Sequence, residues 1–350
     1  MEKSMNSEES DINSTNPSDD KEEEFIGESP NTEEPESTRP SNFLPVYHVG
    51  LKFHTIPLLI SIIIAGVISW YISSIIGFET VIPEENAGQG LVNGLIYTAF
   101  AVVSSIIIYL LVKKKGQNVL KIIMSVAFMF LTFTLLLFFG ILIFPILGIN
   151  ALVYYIYMAL CVILALGLTY LYFSGKLPKT PRNIYVLAVG TMIGAFMGFA
   201  MPLWTTIVLL IGVSIWDIIS VKRGPIKGIM EIMGQVQPDE VRNFTKEDFE
   251  NAEIQIGIGD IAFYSMLTSG CLINTGKIAI SGTQLIPLGS ILVTAIAAIG
   301  ILIGAFITIR ALRKNAILPG LPLSILIGLV FAVASYFILI NIRFFYIYVA

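Results

Sequence analysis

Apolar runs of about 20 residues recur along this chain of 350 residues and constrain its fold more than any other feature. A run of that length crosses the hydrocarbon core of a bilayer as a helix. Only 13% of the residues are charged, whereas soluble domains carry about 25%. The sequence therefore predicts an all-α polytopic membrane protein.

Nine runs qualify as membrane spans, with short polar or Pro/Gly breaks between them. We divide the fifth run from the sixth at Met201-Pro202, because an unbroken span there would be far too long. The seventh run is the least hydrophobic and has the most irregular start. The nine runs cover residues 56–78, 91–112, 121–144, 151–173, 184–201, 203–221, 256–276, 285–309 and 317–340.

Basic residues follow every second span, which predicts the orientation of the chain. Cytoplasmic segments of membrane proteins carry an excess of Lys and Arg. The alternation predicts a cytoplasmic N-terminus and an outside C-terminus. The bases after spans two, four, six and eight include Lys113, Lys114, Lys115, Lys121, Lys176, Lys179, Arg182, Lys222, Arg223, Lys227, Arg310, Arg313 and Lys314.

The chain divides into four regions by composition. Residues 1–45 form a tail predicted to be disordered, since residues 1–40 hold thirteen acidic and three basic residues and few large apolar ones. Residues 46–221 contain spans one to six. Residues 222–255 form a cytoplasmic segment, in which 225–236 is predicted to be a short amphipathic helix. Residues 256–350 contain spans seven to nine.

Glycines at four-residue spacing mark two spans. Gly190, Gly194 and Gly198 lie in span five, and Gly300 and Gly304 lie in span eight. Small residues at this spacing let two helices approach closely within a membrane. We expect both sets to serve helix packing.

Asp217 and Asp260 are the only acidic residues inside predicted spans. Intramembrane acids are costly and are functional candidates by default. No Lys or Arg lies deep in a span, so the natural partner of each acid is the other. Asp217 precedes the cytoplasmic end of span six and Asp260 follows the cytoplasmic start of span seven, which puts both roughly 6–8 Å below that interface.

Two carboxylates a few ångströms apart in a poorly solvated site cannot both ionise easily, so such a pair shares a proton. One carboxylate can then take a proton from water while the other protonates a carbonyl oxygen, as in aspartic proteases. This chemistry needs no metal and no cofactor. The acids alone leave two alternatives open, a structural hydrogen-bonded pair and a proton or cation relay in a transporter.

Three motifs in order carry a family resemblance. Asp217 stands in SIWDIISV, Gly257-Ile258-Gly259-Asp260 fits Gly-x-Gly-Asp, and span nine opens with ILPGLPLSILIGLVF. This ordered set resembles the presenilin and signal peptide peptidase family of intramembrane aspartyl proteases. The resemblance covers about residues 203–340, and the first five spans match in number and length only.

The resemblance implies a role for each motif. Asp217 and Asp260 would be the catalytic pair, and the glycines would let backbone approach or unwind beside Asp260. Two positions depart from the family's pattern, since Trp216 stands where Tyr is common and Gly320 replaces the Ala of Pro-Ala-Leu. The supporting residues would be Trp216, Gly257 and Gly259, and the substrate-positioning residues would be Pro319, Gly320, Leu321 and Pro322.

The resemblance implies an intramembrane-cleaving aspartic endopeptidase that acts on transmembrane helices of other proteins. Its partners would be those substrates and the lipid bilayer, with no nucleic acid and with homo-oligomerisation left open. The simple chain looks like microbial family members, which suggests the cell membrane of a microbe, or an internal membrane in a eukaryote. A proton-coupled transporter, a cation channel and a non-catalytic membrane scaffold are the alternatives.

Overall fold

The computed structural model of the chain describes residues 44–50, 53–72, 86–144, 150–225, 228–229, 253–276, 288–312 and 321–349. The acidic tail lies outside these residues except for Leu44 and Pro45, and so does most of the predicted amphipathic helix at 225–236.

Within the described residues, nine long helices correspond one to one to the nine predicted apolar runs. Seven of them, α2 to α6, α8 and α9, are long and apolar enough to cross a membrane, which confirms a multi-pass all-α membrane protein. Of the other two, α1 has 17 residues and α7 is less apolar. The helices are α1 Thr55–Tyr71, α2 Ala87–Lys115, α3 Gln117–Ile143, α4 Ala151–Phe173, α5 Lys179–Ala200, α6 Leu203–Arg223, α7 Ile258–Gly276, α8 Leu288–Leu312 and α9 Leu321–Val349.

The break at Met201-Pro202 separates α5 from α6, as the sequence predicts. Met201 has an extended backbone, with φ −106° and ψ 141°. Proline restricts the residue before it to such conformations. The helix therefore ends at Ala200, and a new one begins at Leu203.

Two short strands add β structure that the sequence reading does not anticipate. Strand β1, Val46–Gly50, precedes α1, and strand β2, Glu253–Gly257, runs directly into α7. They pair antiparallel, with Val46 opposite Gly257 and Gly50 opposite Glu253. The seventh span was expected to begin at residue 256, but Ile256 belongs to β2 and the helix begins only at Ile258.

Helix α7 lies at the centre of the fold, in contact with α1, α5, α6, α8 and α9. Its small polar side chains Ser265, Thr268 and Ser269 are fully buried. The Thr268 hydroxyl donates to the Tyr264 carbonyl, and the Ser269 hydroxyl donates to the Ala195 carbonyl on α5. Because protein and not lipid surrounds α7, its low hydropathy is compatible with a position inside the bundle.

Both glycine sets make the close helix contacts that their spacing predicts. A Cβ on Gly194 would overlap the Ala262 carbonyl oxygen of α7, and one on Gly198 would lie 2.6 Å from the Met266 carbonyl oxygen. On α8, a Cβ on Gly304 would lie 2.5 Å from the Ser324 Cα of α9. The first set fixes α5 against α7, and the second fixes α8 against α9.

Candidate active site

Asp217 and Asp260 lie on two contacting helices, α6 and α7, close enough for the charge of Asp217 to act on Asp260. Asp217 lies near the end of α6, six residues before its last residue, and Asp260 is the third residue of α7. Both side chains are partly buried. The structure therefore brings together the two carboxylates that the sequence singles out.

Backbone groups at the start of α7 orient the Asp260 side chain. Gly257, the residue just before α7, donates its N–H to the Asp260 carboxylate. A side chain three residues into a helix often accepts the N–H of the residue that precedes the helix, and this bond stabilises the helix start. Residues 257–260 thus form a local unit whose fold fixes the direction of one carboxylate.

The two motif glycines have open surroundings. A Cβ on Gly257 would meet nothing closer than the Asp260 Oδ2 at 3.9 Å, and one on Gly259 would meet nothing closer than Phe263 at 4.0 Å. The packing of the described residues therefore does not require glycine at either position. Space remains beside the Asp260 carboxylate.

Tyr264 connects the two aspartates to α9, a link that the sequence reading missed. It is one helical turn after Asp260 on α7 and is only 3% exposed. Its side chain hydrogen-bonds to Ser324 of α9 and lies near both Asp217 and Asp260. The signal in the sequence was the four-residue spacing from Asp260, which puts the two side chains on one helix face.

The remaining sequence-predicted residues are only partly described. Trp216 is partly buried beside Asp217 on α6. Leu321 is the first residue of α9 and Pro322 is buried next to it, two residues before Ser324. Pro319 and Gly320 lie outside the described residues. The described part of the Pro-Gly-Leu element thus adjoins the Tyr264–Ser324 hydrogen bond.

The two edges of β2 have different surroundings. The Ile258 N–H donates to the Pro45 carbonyl at 3.2 Å, so in this antiparallel register the backbone groups of Ile254 and Ile256 also point toward β1. The groups of Glu253, Gln255 and Gly257 point the other way. Within the described residues the sheet has two strands, so this second edge of β2 carries no further strand.

An apolar pocket that is partly open to its surroundings lies between α6, α7, α8 and α9. Its lining on α7 begins at Leu267, which is about 10 Å along the helix axis from Asp260. The aspartates do not line it, and it offers no chemistry of its own. No group of three His, Cys, Asp or Glu side chains suited to a metal ion occurs in the described parts of the chain.

Comparisons with known proteins agree with this class of membrane protein. The family model described as Presenilin matches residues 74–238. A solved structure described as a presenilin family intramembrane aspartate protease is similar in fold, with a TM-score of 0.50 and 18% identity over 82% of this chain and 98% of that chain. No curated protein sequence matches.

The chain is an integral multi-pass membrane protein, and these matches confirm the family assignment that the motifs suggest. The chain thus resembles the presenilin family both in its motifs and in the match to the family model. The family match extends over a different part of the chain than expected, because it includes spans two to five and ends before Asp260. The N-terminal half therefore carries family similarity that a reading by motifs does not detect.

Proposed function

We propose that this protein is an intramembrane aspartyl endopeptidase whose catalytic residues are Asp217 and Asp260. The observation that carries the proposal is the placement of the two carboxylates near each other on the contacting helices α6 and α7, since they are the only acids within predicted spans. The family assignment supports the same activity. The substrates are membrane-spanning segments of other proteins, cut within the lipid bilayer.

In the proposed reaction the two carboxylates share one proton and hold a water molecule between them. The ionised carboxylate takes a proton from this water as its oxygen attacks the scissile carbonyl carbon. The protonated carboxylic acid gives its proton to the carbonyl oxygen, forming a tetrahedral diol. Collapse of the diol breaks the C–N bond, and a carboxyl group of the pair protonates the leaving amine.

The open edge of β2 supports a binding mode for the substrate backbone. A peptide bond within a helix is hydrogen-bonded and sterically covered, so the substrate has to unwind before attack. An extended peptide can exchange its helical bonds for bonds to the edge of a sheet. Glu253 and Gln255 present such an edge shortly before Asp260, whereas the Gly257 N–H is already bound to the Asp260 carboxylate. The space at Gly257 and Gly259 leaves room for the incoming backbone.

The Pro-Gly-Leu element is proposed to shape the other side of this site. Pro319 and Pro322 lack backbone N–H groups, and Pro322 is the second residue of α9, where an N–H would have no partner within the helix. The Tyr264–Ser324 bond ties the start of α9 to the carboxylate pair. We assign Pro319, Gly320, Leu321 and Pro322 to substrate positioning, and Trp216 to support of Asp217.

We propose nine membrane spans, with the N-terminus cytoplasmic and the C-terminus outside. The alternation of basic segments supports this orientation. Two helices complete the nine spans. α1 is apolar but has only 17 residues, and α7 can be less apolar because other helices enclose it. A substrate helix would then enter with its N-terminus outside. A reporter fused after Ala350 should read as non-cytoplasmic, and a cytoplasmic signal would overturn the orientation.

Parallel assays of cleavage and ion flux test the proposed activity against a transporter that uses the same acids. Purified protein is reconstituted in vesicles with a single-span substrate, next to Asp217→Asn and Asp260→Asn. We expect cleavage by the unmodified protein, none by either variant, and no flux above that of empty vesicles. Flux that both variants abolish, without any cleavage, would favour the transporter. Absence of both cleavage and flux in all three proteins would indicate a non-catalytic scaffold.

A further inference from the structure

Strand β1 is attached to α4 and α5 as well as to β2. The Tyr172 hydroxyl of α4 donates to the Leu44 carbonyl at 2.8 Å, just before the strand. The Asn183 side chain of α5 makes two bonds to one residue of β1: its Oδ1 accepts the His48 N–H at 3.0 Å, and its Nδ2 donates to the His48 carbonyl at 2.7 Å. The carboxamide thus binds His48 as a neighbouring strand would.

The register explains why His48 is available for these bonds. Ile258, Ile256 and Ile254 direct their backbone groups to β1, so the opposed residues Tyr47 and Val49 direct theirs to β2. His48 lies between them, and its N–H and carbonyl point to the outer edge of β1. Asn183 therefore satisfies that edge at the middle of the strand.

The same helix that binds the sheet also fixes the catalytic helix. Gly194 and Gly198 of α5 bring its backbone against α7, and Asn183 lies near the beginning of α5. Helix α5 is thus a common support for the sheet and for Asp260. Because β2 continues directly into α7, the bonds from Asn183 to β1 add a second attachment that holds the β2 edge beside Asp260.

We propose that Asn183 is a positioning residue that sets which substrate peptide bond faces the aspartates. The proposal rests on the proposed protease function and on pairing of the substrate with β2. Successive residues of a strand are about 3.3 Å apart, so a shift of β2 by about half of that distance changes which of two neighbouring bonds lies nearer to the carboxylates. Asn183 thereby acts on the cleavage position as well as on the rate.

Asn274 of α7 offers a matched control. It is also a partly buried amide that donates to backbone carbonyls, those of Met201 and Gly270. It lies 14 residues after Asp260, about 21 Å along the helix axis. Replacing it by Leu removes the same kind of bond without touching β1.

The experiment compares Asn183→Leu with Asn274→Leu and the unmodified full chain on one single-span substrate, with product ends identified by mass spectrometry. We expect the unmodified chain and Asn274→Leu to give one dominant cleavage position. Asn183→Leu should spread cleavage over neighbouring bonds and lower kcat/KM about tenfold, the scale of two lost hydrogen bonds. Asn183→Gln, which retains the carbonyl oxygen and the NH2 group of the side-chain amide, should restore much of the cleavage at the dominant position.

The outcomes separate this inference from the function on which it rests. An unchanged cleavage position in Asn183→Leu, with kcat/KM within about twofold of the parent, would overturn the inference alone. Absence of cleavage by the unmodified protein would overturn the proposed function and the inference with it.

Hydrogen exchange provides a second measurement if Asn183→Leu does not fold. In the unmodified protein the His48 amide should exchange as slowly as those of Tyr47 and Val49. Fast exchange at His48 would show that Asn183 does not hold the strand.

Discussion

Two sets of glycines, one on α5 and one before Asp260, have opposite surroundings. At Gly194 a Cβ would overlap the Ala262 carbonyl oxygen and lie 2.8 Å from the Met266 nitrogen. At Gly257 and Gly259 the nearest atoms would be 3.9 and 4.0 Å away. The first set allows two backbones to touch, whereas the second leaves space next to a carboxylate that no described residue fills.

The difference separates glycine needed for the fold from glycine proposed for function. A substitution on α5 should act through stability, because α7 cannot move away without disturbing the centre of the bundle. A substitution before Asp260 should act through substrate access. Matched glycine-to-alanine variants can therefore test the two roles directly.

Gly194→Ala should have the largest effect. The new methyl group would collide with backbone atoms of α7, and such overpacking costs about 1–3 kcal/mol even after allowing for local adjustment. We expect a clearly lower melting temperature in detergent and loss of activity together with the fold. A melting temperature equal to that of the parent would contradict the close α5–α7 packing.

Gly257→Ala should leave the melting temperature within experimental error of the parent and lower kcat/KM about tenfold, or about 1.4 kcal/mol. The methyl group fits the protein alone but occupies the space proposed for the substrate backbone. Michaelis–Menten kinetics beside thermal melting would measure both. Unchanged kinetics would contradict the proposal that the substrate backbone occupies this space. A large drop in melting temperature would show that Gly257 is needed for packing, as Gly194 is.

Gln255→Pro tests the open edge of β2. Its N–H points away from β1, so proline removes a donor for the substrate strand and leaves the β1 ladder in place. We expect kcat/KM to fall about fivefold, within the range for one hydrogen bond. Gln255→Ala, which retains the N–H of this exposed residue, is the control and should behave like the parent. Equal activity of the two variants would contradict substrate pairing at this edge.

Tyr264→Phe should have a smaller effect, a two- to threefold decrease in kcat at unchanged KM, because it removes only the hydrogen bond to Ser324. Ser324→Ala should give the same decrease. The double variant should be no worse than either single one, since both remove the same bond. Additive losses would show that the two side chains act independently.

Gly167→Ala should have the smallest effect. A Cβ at this exposed position of α4 would meet nothing within 4 Å, and alanine favours a helix over glycine by about 1 kcal/mol. We expect an unchanged or slightly higher melting temperature and parental activity. A lower melting temperature or a lower activity would show that replacing glycine on these helices has an effect that neither packing nor substrate access explains.

The sequence predicts the helices well because the bilayer limits what an apolar run of about 20 residues can form. It also predicts the Met201-Pro202 break, since proline ends the preceding helix. The aspartate pair follows from the scarcity of acids in the spans, and the glycine spacing predicts close contacts on α5 and α8. The partners of those glycines on α7 and α9 could not be read from spacing.

The strands could not be predicted in the same way. β1 and β2 have five residues each and lie about 200 residues apart, so their pairing is a tertiary contact without a local signal. A short apolar run is compatible with either a strand or a helix, and Ile256 was therefore assigned to span seven. Asn183 has no motif around it, and its role follows only from the His48 backbone that it binds.

Cleavage in water enriched in ¹⁸O tests the central claim most directly, because it follows the water that the two aspartates are proposed to activate. Purified protein, Asp217→Ala and Asp260→Ala are each incubated with a single-span substrate, and the new carboxyl ends are analysed by mass spectrometry. The account predicts one ¹⁸O atom in the new carboxyl group made by the unmodified protein and no product from either variant. Labelled product from either variant at the parental rate would contradict it.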